Sequence, residues 1–161
     1  MLDLFKNSNE IEAGLDECAR GTLFGRVYCA AVIMPNEIYD ETKFKMIKDS
    51  KKLSKKKREE ISNYIKEVAI DYSVNWCDEK KIDDINILQA CQVGFHKCID
   101  DLKIKPTSLL VDGNYFRPYK NINHECIIKG DSKYISIAAA SILAKVQHDY
   151  YIEDLCKKYP Y

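Results

Sequence analysis

The sequence predicts an α/β fold. Short apolar runs of strand length, Ile11–Leu15, Val27–Met34, Ile70–Cys77, Ser108–Val111 and Glu125–Ile128, occur along the chain, and stretches of helical period follow the second, third and fifth of them. Three of these runs stop at acids: Asp16-Glu17, Asp112-Gly113 and the Lys129-Gly130-Asp131 segment. At 161 residues the chain is long enough for one domain, 1–161, with a real core.

Each element has its own local reason. If Ile11–Leu15 is a strand, alternation sends the side chains of Asp16 and Glu17 in different directions. One then enters a site directly while the other approaches along its rim. Adjacent carboxylates repel, and burying them together is costly unless a cation or a proton compensates. Val27–Met34 is almost wholly apolar, the pattern of a strand covered on both faces, and Pro35-Asn36 ends it. Ser54 is placed to cap a helix whose apolar positions Ile61, Tyr64, Ile65 and Val68 share one face. The segment 48–60 ahead of and into that helix holds Lys48, Lys51, Lys52, Lys55, Lys56, Lys57 and Arg58. Lysines in a first helical turn oppose the dipole, so helix stability does not explain them. They read either as a solvated face or as a cationic surface for phosphates.

Ile70–Cys77 partly alternates and is rich in β-formers. The helix expected over Ile85–Leu102 carries a core stripe of Leu88, Cys91, Phe95, Cys98, Ile99 and Leu102, with His96 off the stripe and exposed. Pro106 introduces the Ser108–Val111 strand. From about Ser132 onward one long helix is expected, its first half rich in Ala, Ser and Ile, small enough for close approach to a sheet. His148-Asp149 follows Lys145 on it by about a turn.

Composition bounds the remaining possibilities. The chain is 46% hydrophobic and 31% charged, and 25 basic residues balance 25 acidic ones, so only the distribution of charge can select a partner. Seven cysteines without a Cys-x-x-Cys pair favour buried thiols over a zinc cluster or a disulfide framework. They fit a reducing, cytoplasmic setting. The N-terminus lacks the basic-then-apolar pattern of a signal peptide, and no apolar run is long enough to span a bilayer, so no membrane partner is expected.

Asp16, Glu17, Asp112 and Asp131, brought to one sheet edge, would form a strongly negative pocket. Oxygen-only ligands favour hard cations, so Mg²⁺ or Mn²⁺ is expected rather than zinc. Two such ions about 4 Å apart suit in-line phosphodiester displacement. Arg20 and the lysines of 48–58 would hold the rest of a polyanion.

The segments GLDECARG, DSKKLSKKKRE, LLVDGN, IKGD and SIAAASILAKVQHD, in this order, resemble the signature blocks of type 2 ribonuclease H (ribonuclease HII). The resemblance runs from about Ile11 to Tyr161. It implies a ribonuclease H-like fold, a mixed central β-sheet flanked by α-helices. It also implies cleavage of the RNA strand of RNA–DNA hybrids and incision 5′ to ribonucleotides embedded in duplex DNA, leaving 3′-hydroxyl and 5′-phosphate ends. A monomer is expected. Position by position, the metal-binding acids match Asp16, Glu17, Asp112 and Asp131. The loop that reads the ribose 2′-hydroxyl matches Ala19, Arg20 and Gly21, and Ser50 and Lys51 match a segment expected to contact phosphate. Lys129 and Ser141 also match signature positions.

The sequence departs from the family at several places. Cys18 and Ala19 stand where Ala-Gly is usual, Thr22 and Arg26 where prolines are common, and His148 where an arginine precedes the aspartate. The family's later His-Lys-Gly-Tyr motif has no match. Two alternatives therefore stay open from sequence: an impaired, hybrid-binding member of the fold, and a type 3-like ribonuclease H without single-ribonucleotide specificity.

Overall fold

A computed structural model of the chain describes residues 3, 5–6, 9–18, 26–37, 40–48 and 50–159. Five strands form one mixed sheet: β1 (Glu12–Cys18), β2 (Val27–Ile33), β3 (Asp71–Cys77), β4 (Ser108–Asp112) and β5 (Asn123–Ile127), in spatial order β3-β2-β1-β4-β5. The β1–β2 and β2–β3 pairs are antiparallel, and β1–β4 and β4–β5 are parallel. Among the described residues four α-helices accompany the sheet: α1 (Glu41–Lys48), α2 (Lys55–Val68), α3 (Glu79–Asp101) and α4 (Ile135–Lys158).

The sheet separates two hydrophobic layers. On one face, Tyr28, Ala30 and Val32 of β2 pack with α4, which is backed by Ile61 and Ile65 of α2 and Ile47 of α1. On the other, Ala13, Leu15, Cys29 and Ala31 pack with Phe95, Cys98 and Ile99 of α3. All seven β2 residues are buried, which is why that strand reads as a continuous apolar run. Ser54 caps α2 as expected, its Oγ accepting from the Lys57 amide at 3.2 Å.

Gly14 sets the distance between β1 and α4. A Cβ built there would lie 2.4 Å from the Ser136 carbonyl carbon and 2.5 Å from the Ile137 nitrogen. Those are backbone atoms, so the helix could not stay where it is. The Ala-rich start of α4 and Gly14 are the two halves of one close contact.

Several expectations change. β1 extends to Cys18, so Asp16 and Glu17 lie within the strand rather than in the loop after it. The antiparallel ladder with β2 continues to Cys18↔Tyr28, whereas the parallel ladder with β4 ends at Leu15↔Val111. Helix α3 begins at Glu79, not near Ile85, and bends at Asn86, whose φ of 67° is non-helical. Beyond that bend Leu88 is exposed, outside the core stripe assigned to it. His96 is half-buried against Phe116 and Tyr119, with Nε2 2.8 Å from the Arg117 carbonyl. The long helix α4 starts at Ile135 because a short 3₁₀ turn, Gly130–Ser132, precedes it. Backbone bonds to Asp3 support this start: the Ile135 amide donates to the Asp3 carbonyl at 2.9 Å. Helix α1 had no clear signal in the sequence.

Candidate active site

Strand direction brings the acids together. β1 and β4 run parallel, so their C-terminal ends lie at one edge of the sheet, and the ladder between them stops just before Asp16 and Asp112. Carboxylate oxygens of Asp16, Glu17 and Asp112 lie within 4.8 Å of one another. Asp131 reaches the same cavity from the 3₁₀ turn but stands outside that close trio. Gly113, at φ 110°, turns the chain away immediately after Asp112, a conformation open to glycine and strained for other residues.

Each carboxylate is held in place locally. The Glu17 amide donates to Asp16 Oδ1 at 2.8 Å, and the Gly130 amide donates to Asp112 Oδ1 at 2.8 Å. The second bond ties the end of β4 to the turn that carries Asp131. Asp16 is 5% exposed. Burial pushes its carboxyl well above the ordinary range, and repulsion from Glu17 and Asp112 adds to the effect. Glu17 is raised by burial and by Asp112. Asp112 is raised by burial, with the Gly130 amide opposing.

The donor set therefore fits a hard divalent cation. Three converging carboxylates that resist ionisation beside one another gain most from a positive charge between them. The chain's own cations approach from one side. Lys51 Nζ lies 3.2 Å from Asp131 Oδ2, and Ser50 and Lys51 line the same cavity of about 660 Å³. Lys129 and Ser141 line it as well.

Not all of the basic stretch faces the cavity freely. Arg58 pairs with Asp149 at 3.0 Å and donates to the Leu53 carbonyl at 3.3 Å, while Lys55 pairs with Glu153. These cations tie α2 to α4, so part of the positive run is structural. Lys145 lines the cavity and also holds Asp149 at 3.1 Å. In the sequence Arg58 is one of the seven cations of segment 48–60 and nothing local sets it apart. Its signal is the charge complement on the last turns of α4, visible only once the two helices are paired. Ala19, Arg20 and Gly21 lie outside the described residues.

Comparison with known proteins decides the family. The sequence model of ribonuclease HII matches residues 13–161. The chain belongs to the ribonuclease HII family. It is thus a ribonuclease H-type enzyme. A ribonuclease HII of Parabacteroides distasonis is 46% identical over 160 residues, covering 99% of this chain and 78% of that protein. The ribonuclease H2 structure from Pyrococcus horikoshii superposes with a TM-score of 0.79 at 30% identity, over 92% of this chain and 76% of that one. A Bst ribonuclease HIII solved in complex with Mn²⁺ shares the fold at 21% identity and a TM-score of 0.72, over 91% of this chain and 54% of that one. The mixed sheet with helices on both faces is accordingly the ribonuclease H-like fold. Among the described residues no helix is long and apolar enough to cross a membrane.

Proposed function

We propose that the chain is a divalent-cation-dependent endonuclease that hydrolyses the RNA strand of RNA–DNA hybrids. The same site incises 5′ to ribonucleotides embedded in duplex DNA, leaving 3′-hydroxyl and 5′-phosphate ends. The carrying observation is the trio Asp16, Glu17 and Asp112, with oxygens within 4.8 Å and carboxyls that resist ionisation without a cation. Family membership and the Mn²⁺ complex of a protein of the same fold support this reading.

Asp16, Glu17, Asp112 and Asp131 would hold Mg²⁺ or Mn²⁺. A bound pair of such ions supplies an activated water and charge stabilisation for the leaving oxygen. The chain's own groups position the nucleic acid around them. Ser50 and Lys51, on the 3₁₀ turn Ser50–Lys52 facing the acids, contact a backbone phosphate. The Lys51–Asp131 pair keeps an ammonium at the cavity wall until a phosphate takes its place. Ala19, Arg20 and Gly21 read the 2′-hydroxyl, the group that separates a ribonucleotide from its DNA neighbours. The Ala19→Gly variant then raises discrimination for the RNA-to-DNA junction, measured as the ratio of embedded-ribonucleotide to all-hybrid cleavage. An unchanged ratio counts against the loop.

The deciding experiment is cleavage of a labelled DNA duplex holding one ribonucleotide, beside an RNA–DNA hybrid, with Mg²⁺, with Mn²⁺ and with chelator. Incision of both substrates, abolished by chelator, is the expected result. Cleavage of the hybrid alone would point to a type 3-like specificity, and cleavage of neither would overturn the assignment. Asp112→Asn removes a carboxylate at little steric cost and is expected to abolish cleavage with circular dichroism unchanged.

A further inference from the structure

A second cavity, of about 490 Å³, opens between the α4-side face of the edge strand β3 and the C-terminal half of α4. Tyr72 and Trp76 alternate onto that face of β3, and Tyr150 meets them from α4. All three rings are well exposed, at 37%, 47% and 39%. The Arg26 guanidinium lies 4.7 Å from the Trp76 ring centroid and 4.3 Å from that of Tyr151, and donates to the Tyr28 hydroxyl at 3.2 Å. No ion pair ties Arg26 to a carboxylate among the described residues. Lys66 adds a second cation, and Asp154 is the one acid among the described residues of the lining.

Open aromatic faces beside a cation already oriented by stacking make a surface for bases and phosphates together. Bases stack on such rings regardless of sequence, and cations follow the backbone. A paired duplex keeps its base faces internal, so the groove suits an unpaired strand. Its position agrees. Cys18, which lines the acidic cavity, pairs with Tyr28, and Tyr28 pairs with Trp76. Trp76 thus lies two strand spacings, about 10 Å, from the wall of that cavity. A strand entering one cavity reaches the other within a few nucleotides.

We infer that this groove binds an unpaired segment of the nucleic acid. Bases stack on Trp76, Tyr72 and Tyr150, and Arg26 takes a phosphate. The inference rests on the nuclease reading and extends it, by assigning a place to a single-stranded flank beside the cleaved hybrid.

Trp76 is the only tryptophan of the chain, so its emission reports on the groove directly. The test titrates the protein, in chelator, with a short oligothymidylate, with inorganic polyphosphate and with a blunt RNA–DNA hybrid. Oligothymidylate is expected to quench Trp76 saturably, more weakly as salt rises, whereas polyphosphate and the blunt hybrid leave the emission nearly unchanged. Arg26→Ala is expected to raise the half-saturating concentration roughly tenfold. Tyr150→Ala, at an exposed helix position, gives a similar loss and covers the case in which Arg26→Ala misfolds. Absence of quenching by oligothymidylate, or equal quenching by polyphosphate, would overturn the inference. Emission that depends on protein concentration alone would also overturn it, by assigning the groove to a second copy of the chain. Quenching by a protein that cleaves neither substrate supports the groove while removing the nuclease reading, so the two failures are distinguishable.

Discussion

His148 shows how one side chain couples burial to pH. Its ring is 4% exposed, edge-on to Tyr28 at 6.0 Å between centroids, and neither ring nitrogen has a hydrogen-bond partner among the described residues. Burial lowers its pKa below the ordinary 6.5, and the neighbouring Lys145 lowers it further, with Asp149 opposing. The imidazole therefore stays neutral in the fold at a pH where the unfolded chain's imidazole has already taken up a proton. Because the unfolded state binds more protons in that window, stability rises with pH and falls on acidification below about 6.5. His148→Leu is expected to flatten this part of the dependence, read as urea midpoints across the window. Parallel curves for the two proteins would show that His148 is not the group responsible.

At the scale of elements, two contacts position the acids. The first is β1 against α4 at Gly14. Gly14→Ala is expected to cost about 3 kcal/mol, because the added carbon meets helix backbone rather than a flexible side chain. A denaturant midpoint unchanged from wild type would mean that α4 can move away freely. The second is α2 against α4 through Arg58 and Asp149, whose side chains are each 20% exposed. Partial burial and a second bond from Arg58 to the Leu53 carbonyl place the pair above an ordinary surface ion pair. A double-mutant cycle on Arg58 and Asp149 is expected to return a coupling of about 1 kcal/mol. This clamp also fixes the segment leading back to Ser50 and Lys51, so loss of Arg58 should weaken substrate binding more than it lowers turnover.

For the whole molecule, the acidic cluster sets stability against function. Asp16, Glu17 and Asp112 resist ionisation in the cation-free fold, so the sheet edge is under electrostatic strain at neutral pH. A ligand that binds the fold and not the unfolded chain stabilises it by mass action, about 2.7 kcal/mol at a hundredfold excess over Kd. For a domain of this size that corresponds to a rise in Tm of roughly 5–10 °C. Thermal denaturation with saturating Mg²⁺ against chelator is expected to show such a shift, and Asp112→Asn is expected to lose most of it. Equal shifts in the two proteins would place the cation elsewhere.

What the sequence determined by itself is local. The apolar run of β2, the Ser54 cap, the small residues of α4 and the five motif blocks each depend on neighbours along the chain, so period and residue type sufficed to read them and to point to ribonuclease HII. The tertiary structure decided what depends on distant pairing. It extended β1 through both acids, because β2 continues to pair where β4 has stopped. It joined Asp112 to the turn of Asp131 through one amide, and it committed Lys55 and Arg58 to acids on α4 more than ninety positions away. Arg26, notable in the sequence only as a departure from proline, became part of an aromatic groove through partners on β3 and α4. Cross-strand register and helix pairing are set by the packing of the whole core, and no local period encodes them.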